Sequence, residues 1–344
     1  MSPLAARPAA RRREIVSPLF SYGPPAAALV YPLALVVLNQ SARQFLQATN
    51  ATAGLLAGIS IGLAIALVYG VPILSFAAIL QSGGQVRTRR LAHLAFAAPP
   101  LFTVLGVVFF LLGVPGGDYA IWTVAWLGAL AYAAFASPAE TVPAPAAAWI
   151  RTAHGIGGAT ILAMFLAWHL ANHILAIWSL DIHKTVMDLL RLWYRSGPVQ
   201  LVLLALFICQ LVSGLRLLWA KLPRTGDVYS SIQTATAGYL AVYIPSHLIA
   251  VFILGRWFLG VDTTFEWASG APSGLLLDSW NVRLIPHYSL AVLFVICHLA
   301  MGLRTVLLGH GVHGIFADRA TWMIVAMGVA ASFAVTLAQL SVSV

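Results

Sequence analysis

Histidine is the residue best able to do chemistry in this sequence, with ten copies of which nine follow residue 150. His169 and His247 each lie about fifteen residues into a long apolar segment. An unpaired histidine is costly to bury in a membrane, so both are candidate functional residues. If the two segments are helices that run in the same direction, the imidazoles reach nearly the same depth and could bind one haem iron from both axial sides. The sequence therefore predicts a metal site formed by His169 and His247.

Two further histidines could belong to the same chemistry. His173 follows His169 by one helical turn, so both project from one face. Either could ligate iron while the other bonds a haem propionate or a quinone oxygen. His298 lies in a later segment at a different depth, and the residue that corresponds to it is Gln210. Because an amide is a poor iron ligand, we expect a second haem site that lacks one axial ligand and is empty or weakly occupied.

This correspondence comes from an internal repeat. Residues 209–216 read CQLVSGLR and residues 297–304 read CHLAMGLR, with five of the eight positions identical. The segments before them match more weakly, at His169-Leu170 and His247-Leu248. Two pairs of apolar segments therefore look duplicated.

Other polar residues give weaker signals. Arg216 and Arg304 close the two repeats and could pair with haem propionates or act as snorkelling anchors. His287 opens a late apolar segment and could belong to a quinone or proton site. Any single membrane histidine could also simply bond a carbonyl of the next helix. Four histidines are expected near segment ends, where water solvates them: His154, His183, His310 and His313.

Nine apolar segments must position these residues, and a helix needs about 20 residues to cross a bilayer. In hydrocarbon every backbone N–H and C=O needs an internal partner, so all nine are expected to be helices. Pro32, Pro72 and Pro245 fall inside segments and predict local kinks. The expected spans are 25–46, 53–80, 93–114, 119–137, 153–179, 198–219, 233–259, 286–309 and 321–341.

The composition excludes a soluble fold. Of the 344 residues 60% are hydrophobic and 8% charged, with a mean hydropathy of +0.90, whereas soluble domains have about 25% charged residues. The net charge is +9, but Lys and Arg cluster between apolar segments, where membrane topology explains them. Membrane lipid is the expected partner and nucleic acid is not. The sequence contains no nucleophile elbow, P-loop, HExxH or dinucleotide motif, so no catalytic residue is predicted.

A Pro- and Ala-rich stretch divides the chain. We expect a basic tail at 1–23, four helices of unassigned role at 24–137, a linker at 138–150 and a five-helix domain at 151–344. The first apolar segment follows three arginines, as in a signal peptide, but is long for one and is expected to be a membrane helix. The N-terminal side of the expected topology receives 13 of the 19 Lys and Arg, which predicts a cytoplasmic N-terminus and an outer C-terminus.

At several of these positions the chain resembles a known family. The segment His169–His173, the SGLR and MGLR repeats, the His247 segment leading to Gly255-Arg256, and Gly260–Thr264 resemble membrane cytochrome b subunits of succinate dehydrogenase and fumarate reductase. The closest resemblance is to the haem-binding membrane anchors fused to some bacterial class III adenylyl cyclases. It covers about residues 150 to 310 and includes no cyclase domain.

The resemblance implies haem b held by histidines on four helices, exchanging electrons with quinone in a bacterial inner membrane. Carried over by position, the ligands fall at His169 or His173, Gln210, His247 and His298, so the glutamine departs from the pattern. The expected function is electron transfer to or from membrane quinone, as a subunit of an oxidoreductase. Two alternatives stay open. One is a regulatory domain whose haem or quinone occupancy is read by a redox or signalling partner subunit, and the other is a haem-free transporter that uses histidines as proton relays.

Overall fold

The chain folds into helices. The computed structural model describes residues 17–135 and 142–343, and these residues form long helices and no strand. The predicted all-α polytopic membrane bundle is confirmed. Most of the basic tail and the first part of the linker lie outside the described residues. The rest of the linker runs as coil to Ala147.

The α-helices, numbered in chain order, are α1 Pro18–Leu46, α2 Ala51–Gln81, α3 Val86–Phe96, α4 Ala98–Leu111, α5 Gly117–Phe135, α6 Ala148–Ile161, α7 Ala167–Leu175, α8 Leu180–Tyr194, α9 Gly197–Lys221, α10 Val228–Leu248, α11 Phe265–Ala268, α12 Gly274–Leu277, α13 Leu284–Gly309 and α14 Gly314–Leu340. Two π-helical segments accompany them. The first, π1 at Leu162–Leu166, joins α6 to α7, and the second, π2 at Ile249–Phe258, extends α10. Short 3-10 turns precede α13 and follow α14.

Among the described residues, seven helical segments are long and apolar enough to cross a bilayer, and they overlap seven of the nine expected spans. The pair α3 and α4 makes an eighth crossing if it is one span bent by 60°. The bend arises because two consecutive prolines follow the break and cannot continue the hydrogen bonds of α3. The expected start of this span at 93 is too late, since α3 begins at Val86 and buries Arg89 and His93. The expected span 119–137 is the 19-residue α5, which is not among the seven.

Helices from before and after the linker share their hydrophobic clusters. One cluster joins α1, α2, α4 and α5, through Tyr31, Phe102 and Trp122, to the start of α13 at Ile285. A second joins α2 and α3 to α10 and α13 around Tyr239. In lipid the hydrophobic effect does not drive helices together, so close side-chain packing of this kind stabilises the bundle. Helices α6 and α9 have few buried residues and lie at its edge.

A buried ion pair connects α5 to the turn before α13. Arg283 Nη1 lies 2.8 Å from Asp118 Oδ2, and the two side chains are 3% and 6% exposed. The guanidinium carbon is also 4.4 Å from the centre of the Phe102 ring, within cation–π range. Gly106 on α4 leaves space for this group, because a Cβ there would collide with Arg283 Nη1. The pair therefore links the helices before the linker to those after it.

One end of the bundle is covered by α8 and by residues 259–283, and we call it the loop side; the opposite end, where the linker lies, is the linker side. Helix α8 is amphipathic and was not expected as a separate element. Arg191 on its charged face and Arg195 just after its last residue lie 2.9 and 3.4 Å from carboxylate oxygens of Asp262. Its apolar face exposes Leu189 and Trp193, as a helix at a membrane surface does.

Candidate functional site

The predicted ligands lie beside irregular turns of their helices. His169 is three residues after π1, and His247 is two residues before π2. A π-helical turn holds an extra residue and redirects the side chains next to it, which is why such turns recur at functional sites. Pro32 and Pro72, where the sequence predicted local kinks, lie inside helices α1 and α2, which continue as α-helix through them.

The loop-side pair is formed by His169 and His247, the two residues that the sequence analysis placed together. Their ring centres are 6.3 Å apart, with ring planes inclined by 61°. His169 stacks on Phe165 at 4.8 Å, and His247 stacks on Tyr243 at 5.6 Å. Both imidazoles keep some accessible surface although protein surrounds them. They therefore bring α7 and α10 together at this level of the bundle.

His173 and His183 extend this cluster towards the loop side. His173 Nε2 lies 3.3 Å from His169 Nε2, and the rings of His173 and His183 are 5.6 Å apart. The expectation that water solvates His183 is wrong, because α8 places it against Phe265 with only 2% of its surface exposed. Burial lowers the pKa of the His183 imidazole, which favours its neutral form.

Four buried imidazole nitrogens on this side have no hydrogen-bond partner among the described residues: His173 Nδ1, His183 Nε2, His247 Nδ1 and His287 Nδ1. His287 lies at the start of α13, as expected, but inside the bundle, 2% exposed and 4.6 Å from the Tyr243 ring centre. Buried polar atoms are nearly always hydrogen-bonded. A concentration of unpaired nitrogens therefore suits a bound polar group, such as a carboxylate or a quinone oxygen, or ordered water.

The linker-side pair is formed by His298 and His154, and the second of these was missed. Their ring centres are 6.3 Å apart and their planes perpendicular. The expectation that His298 lacks a histidine partner is wrong, because α6 begins at Ala148, so His154 lies inside the helix and not at its end. The spacing from His154 to His169 was the available signal. These 15 residues are close to four turns of about 3.6 residues, which puts both on one face.

Hydrogen bonds fix the proton positions of the linker-side pair. His298 Nδ1 lies 3.2 Å from the Gln233 carbonyl oxygen, which can only accept, so Nδ1 carries the proton. His154 Nδ1 lies 2.9 Å from Ser213 Oγ, and the Ser213 hydroxyl donates to the Cys209 carbonyl at 2.7 Å. His154 Nδ1–H is then the donor to Ser213. Both neutral imidazoles keep their lone pair on Nε2, as metal-binding histidines do when the other nitrogen donates.

Gln210 also contacts His154, and its side chain occupies space beside Gly157 and Gly158. Its Nε2 lies 3.2 Å from His154 Nε2, so the amide N–H donates to the imidazole lone pair. A Cβ at Gly157 would lie 2.8 Å from Gln210 Oε1, and one at Gly158 would lie 3.1 Å from its Nε2. A Cβ at Gly214 would lie 3.1 Å from His154 Cε1. The missing side chains therefore allow the amide and the ring to approach the helices closely.

The two arginines that close the repeats are not directed at the histidines. Arg304 Nε lies 2.7 Å from Asp318 Oδ1, and its guanidinium lies 3.7 Å from the centre of the Tyr229 ring. Arg216 is exposed on α9. Lys221, which the sequence analysis did not select, lies closer to the linker-side pair, because its Nζ is 3.0 Å from Oε1 of the same Gln233 that binds His298.

The spacing of both pairs fits axial ligation of one metal ion. A metal–imidazole bond is about 2.0–2.1 Å long, so the ring centres of two imidazoles on opposite sides of an ion lie about 6 Å apart. Among the described residues no group of three or more His, Cys, Asp or Glu could hold a metal ion, and a porphyrin needs only the two axial ligands.

No protein-family model, no curated protein and no solved structure matches the chain at a significant level.

Proposed function

We propose that this integral membrane protein binds b-type haem and exchanges electrons with membrane quinone. The observation that supports it most strongly is the recurrence of one arrangement at two depths: two histidines from different helices, with ring centres 6.3 Å apart. One site would be held by His169 and His247 and a second by His154 and His298. Haem supplies one-electron transfer when bound. This proposal replaces the expectation of a single haem, because His154 is a candidate for the second ligand that the site at His298 was expected to lack.

The protein's own residues would hold and tune these sites. Along α6 to α7, His154 and His169 are about 22 Å apart at about 1.5 Å per residue, so the sites would connect two levels of the bundle. On the linker side, donation from Nδ1–H to Ser213 and to the Gln233 carbonyl raises the basicity of each ligand. On the loop side, Phe165 and Tyr243 stack on the ligands and limit the access of water.

The proposed quinone exchange is supported by polar atoms near the loop-side pair. Neutral imidazole N–H groups can donate to a quinone oxygen, and nitrogens of His173, His183 and His287 have no partner among the described residues. A redox or signalling partner subunit, a bacterial inner membrane and a cytoplasmic N-terminus belong to the same proposal. They rest on the resemblance and on the distribution of Lys and Arg.

The test is the haem content and absorption spectrum of the protein purified in detergent from haem-replete cells. We expect two six-coordinate low-spin haems per chain. His247→Ala and His298→Ala should each remove the low-spin signal of one haem and leave the other. His310→Ala is the matched control, because His310 is exposed after α13 and its Nδ1 bonds the carbonyl of its own preceding turn. Wild-type protein without haem, or variants that keep both low-spin signals, would refute the proposal.

A further inference from the structure

The two halves of the internal repeat place different chemistry at the linker-side pair. In α13 the repeat supplies His298, whereas in α9 the matching position is Gln210 and the position of Met301 is taken by Ser213. Both α9 residues hydrogen-bond His154 from α6. We propose that Ser213 and Gln210 are positioning residues that hold His154 in a single tautomer with its lone pair on Nε2. The relevance of this tautomer to haem binding rests on the proposed function, whereas the inference that Ser213 and Gln210 hold the tautomer does not.

Ser213 determines which nitrogen carries the proton. Its hydroxyl has one hydrogen, and the Cys209 carbonyl at 2.7 Å takes it, with the Gln210 carbonyl a longer alternative at 3.2 Å. The ring nitrogen is 2.9 Å away, so the Cys209 carbonyl is the nearest acceptor, and while the hydroxyl donates to it the serine oxygen accepts from the ring nitrogen. His154 therefore keeps its proton on Nδ1.

Gln210 is consistent with that tautomer and with no other neutral one. Its oxygen lies near Gly157 and its nitrogen faces His154 Nε2. An amide nitrogen can donate but not accept, so it pairs only with an Nε2 that carries no proton. In this structure both nitrogens of the ring are satisfied by α9, Nδ1 by Ser213 and Nε2 by Gln210. Iron bound at Nε2 would displace the Gln210 amide, whereas the Ser213 contact at Nδ1 would remain and would still orient the ring.

The experiment is nitrogen-15 NMR of histidine-labelled full-length protein in detergent, reduced with dithionite so that any low-spin haem is diamagnetic. The His154 signal is assigned by its loss in His154→Gln. In the wild type we expect a hydrogen-bonded Nδ1–H. Ser213→Ala should shift or abolish this signal, and Ser213→Thr, which keeps the hydroxyl, should restore it. Ser75→Ala is the matched control, because Ser75 makes the same 2.7 Å bond to the carbonyl four residues earlier in α2, far from His154 in the sequence.

A wild-type His154 protonated on Nε2, or a Nδ1–H signal that Ser213→Ala leaves unchanged, would overturn the inference. The signal can be measured with or without haem, so haem-free protein refutes the proposed function while the NMR still decides the role of Ser213. In haem-loaded protein, Ser213→Ala should also raise the midpoint potential of one haem, because the weaker imidazole donor stabilises ferric iron less. Ser213→Thr should return the potential towards the wild-type value.

Discussion

Asp118→Asn should destabilise the whole bundle, although it lies far along the chain from the histidines. The substitution keeps the shape of the side chain and removes its charge. Arg283 would then stay buried at 3% exposure without its counter-charge. Its remaining partners are two carbonyl oxygens, of Trp280 at 3.1 Å and Phe102 at 3.4 Å, and the aromatic faces of the same two residues. These dipoles and rings compensate only part of a full charge.

The magnitude follows from distance and burial. At 2.8 Å, opposite unit charges attract by about 6 kcal/mol in a medium of effective dielectric constant of about 20. Desolvation of both groups offsets part of that attraction, and removal of one partner from a buried pair costs about 3–5 kcal/mol. We expect a loss of that size in the free energy of unfolding. The exposed pair Lys184 and Asp188 has nearly the same separation, 2.7 Å, but side chains 63% and 48% exposed, so Lys184→Met should change little.

The assay is unfolding of both variants by sodium dodecyl sulfate in mixed micelles, followed by circular dichroism and tryptophan fluorescence. Asp118→Asn should unfold at a clearly lower detergent fraction than the wild type, and Lys184→Met should unfold with the wild type. If the two variants lose the same stability, burial does not set the strength of these pairs and the reasoning fails. The double variant Asp118→Leu with Arg283→Met should recover most of the loss, because it leaves no unpaired charge.

Two further predictions concern the packing of α4 and the contact of α8. Gly106→Ala should destabilise the protein by about 1–3 kcal/mol through overpacking, because its Cβ would collide with Arg283 Nη1. Gly128→Ala in α5 is the control and should not destabilise, since no atom lies within 4 Å of a Cβ there. Equal thermal unfolding of the two variants would contradict this prediction. For the contact of α8 with residues 259–283, partial burial raises the pKa of Asp262, but hydrogen bonds and charge from Arg191 and Arg195 outweigh it and lower the pKa below its usual value. The stabilisation is therefore present at neutral pH and lost as pH falls through that lowered pKa, and it is worth less than about 1 kcal/mol because the carboxylate is 56% exposed. The hydrogen-exchange protection of residues 259–283, corrected for the intrinsic exchange rate at each pH, should fall at low pH in the wild type and be reduced at both pH values in Asp262→Asn; equal pH dependence of the protection in the two proteins would argue against the contact.

Much of the fold could be predicted because the bilayer constrains it strongly. Apolar length and the need to satisfy the backbone led to the helices, and seven of the expected spans overlap long apolar helices of the structure. The boundaries failed where polar residues continue a helix. The expected span began at His93, although α3 begins at Val86 and packing buries both Arg89 and His93. Hydropathy alone does not reveal such burial.

The sequence by itself predicted, through repeat and depth, that His169 and His247 would meet, and their ring centres are 6.3 Å apart. Depth follows from position along a helix of fixed rise, so it can be read without knowing how the helices pack. Only the tertiary structure decided that His298 faces His154 on α6 and not Gln210 on α9. Which helix lies beside which depends on side-chain packing, on the glycines at 157, 158 and 214, and on hydrogen bonds between segments distant in sequence. None of these contacts leaves a periodic signal in one sequence, so the partner of His298 became evident only when the helices were assembled.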